Sequence, residues 1–147
     1  MTASVHPMSL ADLIRSGRHI IELRLASPSE LASITGAVAG VTAVKGFLRG
    51  WQVIAIHDHV DETTSFHMIG SFNLRSWITS DLRRLAPDWS IARTRNSLYA
   101  LGQRAEADLS VSHLITVARA LHAWGIVDRY GLDVMRDDDF LECGIDE

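Results

Sequence analysis

The chain has 147 residues, 47% hydrophobic and 22% charged, with a formal net charge of -4. That size suits one domain with its own core, and that balance excludes a wholly disordered chain. The longest stretch without a charged side chain, Leu31 to Val44, is too short and too rich in Ser, Thr and Gly to span a bilayer, which needs about 20 apolar residues.

The one cysteine, Cys143, allows no internal disulfide, and no lysine or arginine precedes Arg15 in the N-terminal segment. No secretory framework or export signal is read, and the expected setting is the reducing cytoplasm. Charge is unevenly spread. Residues 133 to 147 hold seven acids (Asp133, Asp137, Asp138, Asp139, Glu142, Asp146, Glu147) against Arg136 alone, while the rest of the chain has 13 basic and 11 acidic residues. A C-terminus of this kind either folds over a basic surface of its own chain, meets a basic partner, or is simply solvated.

In chain order, Ser9 followed by LADLIRSG predicts a short helix with Ser9 as N-cap and Gly17 as its stop. His19 to Leu25 alternates and predicts a strand. Ser27-Pro28-Ser29-Glu30 has the form of a capping box with proline at the first helical position, so a helix begins there and runs to about Gly40. Gly36 and Gly40 suit close packing of that helix on a sheet or on a second copy of the chain.

Trp51 to His59 and Ser65 to Phe72 predict a hairpin around VDETT, and Trp77 to Ser80 a further strand. Pro87 bars a helix from the basic stretch DLRRLAPDW. Trp89 to Thr94 and Ser97 to Leu101 predict a second hairpin turning at Arg95-Asn96, where Asn tolerates positive φ. Val111, Leu114, Ile115, Ala118 and Leu121 recur at helical spacing between Ser110 and Gly125. The expected architecture is one α+β domain over residues 1–135. Its antiparallel sheet of two hairpins and an N-terminal strand is packed on one face by two or three helices, the other face being more polar, and an acidic tail occupies 136–147.

Three constellations could carry function. If the first hairpin is centred on Glu62, residue 57 pairs with 67 and His57, His59 and His67 share one face, opposite an apolar face of Ile54, Ile56, Phe66 and Met68. Three neutral imidazoles can hold Zn²⁺ and leave a fourth position for water, although polar side chains on a solvated sheet face would look the same. Six arginines between 75 and 104, among them Arg83, Arg84, Arg93 and Arg95, are interleaved with Trp77, Trp89 and Tyr99. That is the composition of a single-strand nucleic-acid binder, but the chain's pI of about 5.9 argues against nucleic acid as the partner. Asp137, Asp138, Asp139 and Glu142 would supply an acidic contact to a protein partner with a basic surface. No nucleophile elbow or glycine-rich phosphate loop is present, and His113 and His122 read as structural.

Residues 77 to 102, WITSDLRRLAPDWSIARTRNSLYALG, carry Thr94, Arg95, Asn96, Ser97, Tyr99 and Leu101 in a T-R-N-S-x-Y-x-L pattern. This segment, under a fifth of the chain, resembles one found in small, mostly uncharacterised accessory proteins of bacterial plasmids and phages. The resemblance implies a mobile-element protein that binds and blocks a partner, as anti-CRISPR proteins and conjugation regulators do, and it carries no catalytic residue across. The expected function is therefore a non-enzymatic binding or inhibitory module without cofactor. A zinc-binding protein or metal-dependent hydrolase, and a nucleic-acid-binding regulator, are the alternatives.

Overall fold

A computed structural model describes residues 8–38, 43–106 and 108–142, the last without its side chain. The end, around Gly40, of the helix predicted from Ser27, and Cys143, Asp146 and Glu147, lie outside the described residues. The strands are β1 (Ile14–Ser16), β2 (Ile21–Leu25), β3 (Gly46–Asp58), β4 (Thr63–Phe72), β5 (Arg75–Ile78), β6 (Leu82–Leu85), β7 (Ile91–Thr94), β8 (Leu98–Leu101) and β9 (Asp133–Val134). The helices are α1 (Pro28–Ile34), α2 (Val111–Ala123), α3 (Ile126–Tyr130) and α4 (Asp137–Glu142), preceded by a 3-10 turn over Leu10–Leu13. The fold is mixed α+β with a mostly antiparallel sheet. No helix among the described residues is long and apolar enough to cross a membrane.

The sheet is organised by β3. Along one edge it pairs antiparallel with β4, and its other edge is divided, with β2 antiparallel to residues 54–58 and β8 parallel to residues 46–48. The switch between the two falls at an irregularity between Arg49 and Gln52, where Gly50 takes φ +53°. Glycine bears this conformation without a Cβ penalty, and the strand bends there. The wholly antiparallel sheet expected from the hairpins is thus corrected to a mixed one.

Both faces are buried. Ile54, Ile56 and Ile69 pack against Leu114, Val117 and Leu121 of α2 on one side. On the other, Trp51, Val53 and Met68 pack against Leu82, Leu85, Ala92 and Tyr99 from the ribbon of β6, β7 and β8 that folds across. The expectation of a polar second face fails because DLRRL, which offered no periodicity, forms β6 and caps that core with Leu82 and Leu85.

Local chemistry explains the helices. Ser27 accepts from the Glu30 amide at 3.2 Å while the Glu30 carboxylate accepts from the Ser27 amide at 2.9 Å. The same carboxylate takes two hydrogen bonds from the Arg24 guanidinium, which hold its pKa down at about 2. Helix α1 ends at Ile34, because Thr35 and Gly36 turn to bridge Leu85 of β6. Ser110 caps α2 through the His113 amide, and Gly125 at φ +79° follows its end. The predicted helix after Ser9 lasts one 3-10 turn before the chain extends into β1, which pairs with β9.

The segment expected to be a tail is part of the fold as far as it is described. Phe140 of α4 is 2% exposed within the α2-side core. Asp137 takes two bonds from Arg119, and Arg15 bridges Asp133 and Asp139. A boundary at 135/136 would cut through this packing. Phe140→Ala should therefore cost roughly 3 kcal/mol, as truncations of buried aromatics do. Removing residues 136–147 should lower the urea midpoint at least as much, rather than leave the fold intact as a free tail would.

The β4–β5 hairpin turns on Asn73 and Leu74, at φ +51° and +64° between the paired residues Phe72 and Arg75. Two positive φ values define the primed turn that suits twisted strands, but leucine is a poor occupant and here stands fully exposed. Leu74→Gly should raise stability by roughly 1 kcal/mol, read as a higher thermal midpoint.

Candidate metal centre

The β3–β4 loop is built by Asp58. Its Oδ1 accepts from the amides of Val60 at 2.8 Å and Asp61 at 3.1 Å, closing a tight Asx-type turn, and Glu62 follows at φ +56°. Tyr130 of α3 donates its hydroxyl to the other oxygen of Asp58, and Arg129 bonds Asp61 at 3.3 Å. The Tyr130 hydroxyl, followed by the two turn amides, holds the Asp58 carboxyl below its ordinary range. The loop tip is thereby tied to the helical side of the molecule.

This turn sets a register different from the one centred on Glu62. His57 pairs with Thr64 and Ile54 with His67, so the partner of His67 lies three residues from the expected one. A shift by an odd number moves side chains to the other face. His67 accordingly shares its face with Ile54, Ile56 and Ile69, whereas His57 lies with Val53, Phe66 and Met68 on the other. The three histidines are not brought together.

What gathers instead is His57, His59 and Glu62, whose ligand-capable atoms all lie within 4.8 Å of one another. The two imidazoles meet edge to face with centroids 4.5 Å apart. Thr64 Oγ1 engages His57 Nδ1 at 2.6 Å, which leaves Nε2 to face Glu62 Oε2 at 3.7 Å. Glu22, opposite His57 on β2, reaches His59 Nε2 at 3.1 Å. Donor atoms around a tetrahedral ion bound at about 2.1 Å stand about 3.4 Å from one another, so small side-chain rotations suffice to close this set. Hydroxyl or carboxylate contacts to the second ring nitrogen are the usual means of orienting a ligating imidazole.

Neither carboxylate was found from sequence. Glu62 falls in the polar run VDETT expected as the hairpin loop, and the D-x-V-D spacing of an Asx turn is the signal that places it. Glu22 required knowing that β2 pairs with β3.

His67 is 7% exposed. Its Nδ1 lies 3.0 Å from the Thr79 carbonyl and its Nε2 2.9 Å from Ser65 Oγ, with Asp81 at 3.9 Å and the Trp124 ring stacked at 4.7 Å. Burial pushes its pKa below 6.5, partly opposed by Thr79 and Asp81.

The remaining candidates are dispersed. Arg83 lies 3.7 Å from Asp81, and Arg84 faces Arg93 across β6–β7. Arg95 is exposed in a turn where Asn96 keeps negative φ, contrary to expectation. Trp77 bonds the Tyr99 hydroxyl at 3.1 Å, and the Arg104 guanidinium covers the Trp89 ring at 4.9 Å, so these rings do not form an open stacking platform. Asp137 and Asp139 are paired within the chain, Asp138 is exposed, and His122 donates to the carbonyls of Val134 and Met135. No protein-family model, curated protein or solved structure matches this chain.

A neutral histidine in the folded state binds fewer protons than the unfolded chain, so its contribution to stability is complete above about pH 6.5 and is lost as pH falls below it. The urea midpoint should fall between pH 7.5 and 5.5, and His67→Gln should flatten that dependence.

Proposed function

We propose that this protein binds a divalent transition metal, with Zn²⁺ as the ion best matched to its donors, at His57, His59 and Glu62. The observation that carries the reading is the convergence of two imidazoles and a carboxylate within 4.8 Å at a loop held from both sides. Imidazole and carboxylate donors suit zinc, and three protein donors leave a position for water or a small ligand. Glu22 lies beside the set as a fourth group and a second carboxylate. The site stands at the surface, with the His57 side chain 19% and the Glu62 side chain 74% exposed, so an ion there is open to small molecules.

Capture of a basic protein partner through the acidic C-terminus has less support. Asp137 and Asp139, which would carry it, already neutralise Arg119 and Arg15.

Calorimetric titration with ZnCl₂ should show one ion bound per chain with micromolar or tighter affinity. His57→Ala and His59→Ala should each weaken it by roughly tenfold or more, while His19→Ala, an exposed histidine outside the set, leaves it unchanged. No binding in the micromolar range, or equal loss in the His19 variant, would remove the metal reading.

A further inference from the structure

The face of β4 turned away from His57 holds a second chemical arrangement, independent of the metal reading. Ser65 and His67 are two residues apart on one strand, so alternation places both side chains on the same side. A backbone carbonyl can only accept, so the 3.0 Å contact with Thr79 requires the proton on Nδ1. Nε2 is then the acceptor, and the Ser65 hydroxyl donates to it at 2.9 Å. A hydroxyl bonded to an imidazole whose far nitrogen is fixed by a third group is the arrangement that activates a serine nucleophile.

The surroundings suit that role. Ser65 lines a cleft of about 350 Å³ with Ile21, Ile56, Asp81, Trp124 and Tyr130. The Trp124 ring, 4.7 Å from the imidazole and tilted by 32°, covers the base. Asp81 Oδ1, 3.9 Å from Nε2, is placed to stabilise the positive charge that His67 acquires on taking a proton. Asp58 and Asp81 face the cleft against Arg129, itself paired with Asp61, so the cleft disfavours anionic substrates.

We infer that Ser65 is a nucleophile and His67 its general base, acting on small esters without negative charge. The Ser65 Oγ bonds to the ester carbonyl carbon as its proton passes to His67 Nε2. Collapse of the adduct breaks the bond to the alcohol oxygen, which leaves with that proton. Water then attacks the acyl-serine with His67 again as base, releasing the acid and restoring the hydroxyl.

The test treats the intact protein with an alkyl fluorophosphonate at pH 7.5 and maps the adduct by peptide mass spectrometry, alongside p-nitrophenyl acetate hydrolysis. The expected result is one phosphonyl group on Ser65, lost in Ser65→Ala together with ester turnover. His67→Gln should slow labelling by roughly 100-fold. The wild-type labelling rate should rise to a plateau as His67 deprotonates, which reports the dyad even if the His67 variant fails to fold. An unlabelled Ser65 in folded wild-type protein, a pH-independent rate, or turnover unchanged in Ser65→Ala would overturn the assignment. Zinc titration of Ser65→Ala keeps the outcomes separate, because the metal reading predicts undiminished binding there.

Discussion

The rest of the molecule depends on β3 being shared. One strand of 13 residues hydrogen-bonds to β4 along one edge and to β2 and then β8 along the other, so every strand of the main sheet is reached through it. Its alternating side chains divide between two cores: Ile54 and Ile56 with α2, Val53 with the β6–β8 ribbon. Because the period is two, a slip of one residue would exchange the occupants of both cores at once. Register is consequently far better determined here than in a sheet with one solvated face, and the positions of His57, Glu62, Ser65 and His67 inherit that precision.

Much of the fold could be read from residues whose effect is local. Ser27-Pro28-Ser29-Glu30 and Ser110 act through side chains that reach backbone amides three positions away, so α1 and α2 begin where the capping residues place them. What eluded the sequence was non-local. The parallel pairing of β3 with β8 joins residues about fifty positions apart and leaves no periodic trace in either. Short elements such as β6, β9 and α3 are held by tertiary packing rather than by propensity. The acidic C-terminus looked like a tail because composition weighs charge and overlooks one phenylalanine.

The histidines show how much a single turn decides. Their alternation along β3 and β4 was visible, but the hairpin centre was not, because Asp58 begins the turn earlier than the polar run VDETT suggests. That displacement removes His67 from the metal candidates and sends it beneath Trp124, where Ser65, Thr79 and Asp81 meet it. It also brings Glu62 to His57. One strand pair thus carries two imidazoles beside a carboxylate on one side and, through its thickness, a sheltered hydroxyl–imidazole pair.

The pairing of β1 with β9, with Arg15 joined to Asp133 and Asp139, links the first described strand to the last. A chain emerging from the ribosome in order can assemble the β6–β8 core while α2 and α4 are still in the exit tunnel. The α2-side core cannot close until Phe140 is out. Nascent chains would thus hold Ile54 and Ile69 uncovered until Phe140 emerges, the interval in which chaperones find their clients.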